Sequence, residues 1–222
     1  MFDKEWLNRS IFQTAFTHRS FLNESDKGMQ SNERLEFLGD SVLSFIISGY
    51  LYQLRPDDAE GDLTNLRSYM VKTTSLARAA KQLNLGEHLR LSKGEELTGG
   101  RNNVQILANT FEALLGAIYF EFGVDKAREF LESALIPLFQ EELKSGPPKD
   151  AKSLLQEVAQ NKYKQSPKYK VLQTVGPDHA KEFRVGVYVR GNLIGEGTGL
   201  SKQVAEEEAA AKALTAPLLS PD

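Results

Sequence analysis

The chain contains no cysteine, which removes both a disulfide framework and a thiolate zinc site from consideration. Long apolar runs are missing too. Those present, such as Phe45-Ile46-Ile47, fall far short of the roughly 20 residues that a membrane-spanning helix needs. The charged N-terminus lacks the apolar segment of a secretion signal. No membrane partner is expected, and a soluble, cytoplasmic protein is the expectation. Histidine is scarce, and neither His18 nor His88 falls in a metal-ligand spacing. The glycines from Gly94 to Gly100 lack the phosphate-loop pattern and read as a plain loop.

What is present suits one large or two modest domains: 222 residues, 41% of them apolar, enough for real cores. The run Lys144-Ser145-Gly146-Pro147-Pro148-Lys149-Asp150 cannot continue a helix and reads as a linker. We therefore expect a first domain over 1–144, a linker over 145–150 and a second domain over 151–218. Charge changes across the boundary. Before residue 150 there are 17 basic against 21 acidic side chains, and from 150 onward 10 against 9. Lys162 to Arg190 alone holds seven basic residues against Asp178 and Glu182. A mildly acidic chain can thus present a basic face, and that face governs nucleic-acid binding more than the total does.

Helical periodicity marks Asn32 to Leu54, stopped by Pro56, then Leu63 to Leu83, Val104 to Phe122 and Lys126 to Leu143. No convincing strand precedes the linker. After it, Ala151 to Tyr163 reads as a helix, and Phe183 to Arg190 alternates as a half-buried strand. Gly191-Asn192 supplies a tight turn into Leu193 to Gly199. Ser201 can cap a final alanine-rich helix from Lys202 to Thr215.

The first helix carries the most informative residues. Glu36 and Asp40 are four apart and Glu33 lies seven before Asp40, so all three project from one face. Like charges so placed repel, and apolar surroundings raise the cost of each ionised form. A divalent cation relieves both penalties, and Mg²⁺ prefers a few carboxylates, some water and substrate phosphate. In the apolar segment Leu107 to Tyr119, Asn109 and Glu112 share one edge. Gly39 and Gly116 would let the two helices approach closely and merge their polar edges. Paired carboxylates on a helix more often form a solvated stripe, here with Arg34 as partner. Two such helices, each too apolar for the surface, favour the cluster.

The string NERLEFLGDSVL from Asn32, with ANTFEALLGAIYFEFG from Ala108 and AFTHRSF from Ala15, resembles the ribonuclease III family of the bacterial type. The resemblance implies an all-α endonuclease domain that dimerises, with one metal-dependent site per protomer. In that family the residues matching Glu36, Asp40 and Glu112 hold metal and water, and the one matching Glu33 assists near the dimer interface. Asp40, Glu112 and Glu33 are thereby the catalytic candidates. Glu60 falls where the family often has another acidic residue near the cleft. Phe37 matches a residue that inserts into a socket on the partner subunit. The family usually has Asp where this chain has Asn109. Its amide oxygen can still ligate a hard cation, but the cluster loses a negative charge, and weaker metal binding should follow. Asn109 is either native here or a substitution that traps an uncleaved complex, and the reading taken is a native, active enzyme. The family's first helix is abbreviated or missing.

The segment from Lys152 to Leu214 resembles a double-stranded-RNA-binding domain of α-β-β-β-α order. The whole is then a multidomain protein, all-α followed by α+β. By that resemblance Gln156, Glu157 and Gln160 touch one minor groove, His179 touches the next, and Lys202 bridges the phosphates between. Gln203 stands where the family commonly has a second lysine. Most lysines, Lys168 and Lys170 included, read as ordinary surface charge.

The expected activity is Mg²⁺-dependent hydrolysis of double-stranded RNA by a homodimer, Mn²⁺ substituting, leaving 5′-phosphate and 3′-hydroxyl ends. Ribosomal and other precursor RNAs are the substrates that the family suggests, and DNA is not expected as a partner. The alternatives are a non-cleaving RNA-binding protein weakened by Asn109 and a ribosome-associated structural subunit. Retention of Glu33, Glu36, Asp40 and Glu112 argues against the second.

Overall fold

The computed structural model describes residues 4–25, 28–148, 150–177 and 181–215, and the chain divides into two units between Pro147 and Pro148. The first unit is built from α1 (Ser10–Ala15), α2 (Glu33–Leu54), α3 (Glu60–Val71), α4 (Thr73–Gln82), α5 (Lys93–Leu97), α6 (Val104–Phe122), α7 (Val124–Ala134) and α8 (Gln140–Ser145). Among the described residues its one β feature is an isolated parallel bridge between Thr17 and Arg90. No helix there is long and apolar enough to cross a membrane.

α6 is the centre of this unit. Asn103 caps it, its Oδ1 accepting from the backbone N–H of Gln105 at 2.9 Å and of Ile106 at 3.2 Å. Gly123, at φ 85°, ends it. Between those limits Leu107, Phe111, Leu114, Leu115 and Ile118 are fully buried, so the helix is apolar nearly all round because protein surrounds it. α2 crosses it at two glycines. A Cβ added to Gly39 would stand 1.8 Å from the Glu112 carbonyl oxygen, and one on Gly116 would stand 2.2 Å from that of Leu35. Only hydrogen at both positions permits this backbone contact.

Two predicted helices prove to be composite. Leu63 to Leu83 is interrupted at Lys72, whose ψ of 153° is extended. The break is held by Ser75, whose hydroxyl donates to the Tyr69 carbonyl at 2.8 Å, and by Lys72 Nζ lying 3.8 Å from the Tyr69 ring centroid. It turns the buried face of α4, with Leu76, Ala77, Ala79 and Ala80, into the core. Lys126 to Leu143 is likewise interrupted by a 3₁₀ turn, Ile136–Phe139, containing Pro137. Proline lacks an N–H and disfavours helix in the residue before it.

The second unit runs α9 (Ala151–Tyr163), β1 (Lys168–Val175), β2 (Glu182–Val189), β3 (Asn192–Gly199), α10 (Lys202–Leu214). The strands form one antiparallel sheet in the order β1-β2-β3. Asp150 caps α9 by accepting from Ser153 N at 2.8 Å, and Ser201 caps α10 by accepting from Val204 N at 3.2 Å. Leu155, Val187, Ala209, Ala210 and Ala213 form the core. α10 lies so close on β3 that a Cβ on Gly197 would stand 2.3 Å from the Ala205 carbonyl oxygen. The β2–β3 turn falls one residue earlier than expected. Its central residues are Arg190 and Gly191, at φ 54° and 83°, and Asn192 already belongs to β3.

Candidate active site

The glycine crossing decides where the carboxylates meet. Glu36 and Asp40 flank Gly39 on α2, and Glu112 lies one turn before Gly116 on α6. Glu112 is half-buried, and its carboxyl is pushed up to about 7, first by burial and then by the charges of Asp40 and Glu36. Glu36 is also raised, by burial, by Glu33 and by Asp40, while a hydrogen bond from the Asn109 amide pulls it down. Glu112 therefore senses Asp40 and Glu36 across the crossing, as a carboxylate does beside like charges.

Asn109 has a more definite position than its spacing suggested. Gln105 Nε2 donates to its Oδ1 at 2.6 Å while its amino group serves Glu36. The oxygen expected to ligate a cation is thus engaged by Gln105, because the amino end is the one that suits a carboxylate neighbour. Gln105 escaped the sequence reading. Its signal was the four-residue spacing to Asn109 on one helix face.

Glu33 stands at the exposed rim. Ser31 Oγ donates to it at 2.7 Å and Arg19 lies 3.7 Å away. It acts on the cluster through its charge on Glu36. Glu60 opens α3 and accepts from Thr64 Oγ1 at 3.0 Å. Phe37 is 78% exposed, beside a groove of about 690 Å³ lined by Ile11, Leu35, Leu38 and Phe120 among others.

As their side chains stand, no three His, Asp or Glu groups among the described residues are arranged to hold one metal ion. The donor chemistry nonetheless fits a hard divalent cation. Glu36, Asp40 and Glu112 offer oxygen ligands and excess negative charge, and Glu36 and Glu112 are both held above their ordinary values by burial and neighbouring carboxylates.

In the second unit Gln156, Glu157 and Gln160 share the exposed face of α9, opposite buried Leu155 and Ala159. Gln156 Nε2 donates to Ser166 Oγ at 2.8 Å. Lys202 is the exposed first residue of α10, next to its cap. His179 lies outside the described residues.

Residues 8–138 match the family model described as Ribonuclease-III-like, and residues 151–216 match the double-stranded RNA binding motif. The chain is 46% identical to Ribonuclease 3 of Pelotomaculum thermopropionicum over 94% of its own length and 87% of that protein's. Identity to Ribonuclease 3 of Borreliella burgdorferi is also 46%, over 96% of this chain and 86% of the relative. Among solved structures, the nuclease domain of ribonuclease III from Campylobacter jejuni superposes with a TM-score of 0.55 at 37% identity, covering 63% of this chain and 91% of that one. That domain is described as flexible in a region involved in dimer formation. With both of its units matched and two Ribonuclease 3 proteins aligned along nearly its whole length, the chain belongs to the ribonuclease III family and is an endoribonuclease that carries a double-stranded-RNA-binding module.

Proposed function

We propose that this endoribonuclease is Mg²⁺-dependent and hydrolyses RNA duplexes directly, through Glu36, Asp40 and Glu112 with Glu33 assisting at the rim. The observation that carries this reading is the meeting of carboxylates at the close Gly39–Gly116 crossing, where burial and the charges of Asp40 and Glu36 push Glu112 up to about 7. A bound Mg²⁺ would supply charge neutralisation at the scissile phosphate and acidify water beside it. Glu36, Asp40 and Glu112 would hold it. Asn109 would contribute after exchanging its Gln105 contact, and it leaves the set one negative charge poorer than an aspartate would. Glu33, neutralised in part by Arg19, adds charge at the rim without entering the buried cluster.

The remaining parts of the reading rest on the family. The products carry 5′-phosphate and 3′-hydroxyl ends, Mn²⁺ replaces Mg²⁺, and the working form is a cytoplasmic homodimer acting on ribosomal and other precursor RNAs. Gln156, Glu157, Gln160, His179 and Lys202 contact the duplex, with weak sequence preference because A-form grooves are read mainly by shape. The domains proposed for these two tasks are 1–144 and 151–218.

The test is cleavage of an end-labelled RNA duplex with Mg²⁺, with Mn²⁺ and with EDTA. The chain should cut with either metal, Glu112→Gln should not cut, and Asn109→Asp should reach half-maximal rate at about tenfold lower Mg²⁺. Cutting that survives EDTA, or that Glu112→Gln leaves intact, would remove the metal reading.

A further inference from the structure

The β2–β3 hairpin end of the second unit carries a cleft of about 440 Å³ that the reading above does not use. Lys168 and Lys170 line it from β1, Tyr188 from β2, Arg190 from the hairpin turn, and Gln165 and Ser166 from the segment after α9. No acidic side chain is among its described lining residues. Three other cations of this unit are paired: Lys152 with Glu206, Arg184 with Glu196 and Lys212 with Glu208. Lys168, Lys170 and Arg190 have no carboxylate partner among the described residues. Two of them rest on rings instead. Lys170 Nζ lies 5.2 Å from the Tyr188 centroid, and the Arg190 guanidinium carbon lies 5.7 Å from that of Tyr163. Such contacts orient a cation without cancelling its charge.

Backbone conformation adds an independent observation. Arg190 holds φ 54° at the first central position of a two-residue hairpin, where both central residues have positive φ. Asparagine or glycine adopts that conformation readily, and an arginine there costs strain without improving the turn. Lys164, at φ 55°, ends α9 in the position that glycine or asparagine usually takes, one residue before Gln165. Both departures bring a long basic side chain to the same end of the sheet.

The geometry points to this cleft as a binding site for the phosphodiester backbone of RNA, an inference that rests on the RNA-binding reading of this unit. Three exposed cations without counter-charge match closely spaced phosphates. Ser166 Oγ, which accepts from Gln156 Nε2, keeps its own proton to donate to a phosphate oxygen. That bond also joins the cleft to the α9 face expected in a minor groove. Lys202 follows the opposite end of the sheet, and an eight-residue strand places the two sites about 25 Å apart. The cleft therefore lengthens the footprint beyond the α9 and Lys202 surface. The phosphates come either from the same duplex running past α9 or from a single-stranded flank.

The experiment uses the full chain in EDTA, so that no RNA is cut. Two probes are compared by fluorescence anisotropy over a salt series: a blunt RNA duplex of about 16 base pairs, and the same duplex with a single-stranded 3′ extension. The variant is Lys168→Gln, Lys170→Gln and Arg190→Asn together, asparagine being chosen because it keeps the left-handed turn. Expected is a loss of about tenfold or more in affinity and a salt slope flatter by about two to three units. Loss on both probes assigns the phosphates to the duplex, and loss confined to the extended probe assigns them to the flank. Lys212→Gln, which removes a lysine already paired with Glu208, should leave the slope unchanged. A correctly folded triple variant that binds both probes as the parent does overturns the inference. A parent chain that binds neither probe is a different failure, since it removes the RNA-binding reading beneath it.

Discussion

Glu112 sets a conflict at the scale of one residue. Its carboxyl rises from 4.5 to about 7 in the fold, so the stability associated with its protonated form is complete below about 4.5 and is lost as pH climbs through 7. Such a rise corresponds to about 3 kcal/mol at most, and solvent at a half-buried site screens it to about 1–2 kcal/mol. Glu112→Gln should therefore stabilise the metal-free protein by that amount near about pH 8 and hardly at all near about pH 4, while abolishing cleavage. Urea denaturation in EDTA at both pH values measures it, and a variant no more stable than its parent at the higher pH contradicts the electrostatic account. His18 behaves in the opposite sense. Burial lowers its pKa below 6.5 with help from Arg19, against the pull of Glu95 and Glu33. Its Nδ1 accepts from Ser20 N at 3.3 Å and caps the 3₁₀ turn Arg19–Asn23, which a protonated ring cannot do. The stability it contributes is full above 6.5 and disappears as pH falls through the folded value. His18→Asn keeps an acceptor and should flatten that acid limb of the stability profile, with the ring's NMR titration in the parent falling below 6.5.

At the scale of elements, the close crossing of α2 over α6 sets how the carboxylates of the candidate site meet. Gly39→Ala puts a methyl 1.8 Å from the Glu112 carbonyl oxygen, so the helices must separate. Overpacking of this kind costs about 1–3 kcal/mol or more. The shift also moves Glu112 away from Glu36 and Asp40, so the Glu112 carboxyl should drop back toward 4.5 and activity should fall further than stability. Denaturant midpoints alongside cleavage rates separate the two effects. Both helices of the crossing were legible in the sequence, because each has clear limits and chemistry-bearing residues at helical spacing. Glu36, Asp40 and Glu112 could be paired across them once the two glycines were noticed. The break at Lys72 was not legible, since lysine is a good helix former and the apolar pattern runs through it. It is imposed by packing of α4 against the core. Pro137 did carry its signal, and the longer apolar period overrode it. The basic cleft was illegible for a topological reason: Lys168 and Lys170 lie about 20 residues from Arg190 in sequence and meet it only through the antiparallel pairing of Lys168 with Tyr188.

At the scale of the whole molecule, the exposed aromatic surface of the first unit is the candidate contact for the proposed homodimer. Phe37 and Phe120 are 78% and 70% exposed, and both border the groove of about 690 Å³ that Ile11, Leu35 and Leu38 help to line. A large ring left in water beside an apolar groove suits a contact between two copies. Under two-fold symmetry, a residue that enters the partner's groove receives the partner's equivalent residue in its own. Phe37 is one residue from Glu36 and four from Glu33, so in the proposed dimer a contact that buries the ring would also hold the rim of the carboxylate cluster. Phe37→Asp should weaken self-association by about a hundredfold or more, as loss of a central aromatic anchor costs about 3 kcal/mol. Sedimentation equilibrium reads that shift directly. Glu112 is not among the residues lining the groove, so Phe37→Asp should leave its carboxyl near 7. On the proposed homodimer reading, the monomer would lose the opposed second site, and with it the coordinated cutting of both strands. A Phe37→Asp chain that stays dimeric, or that still cuts both strands of a duplex in one encounter, would place the interface elsewhere on the first unit.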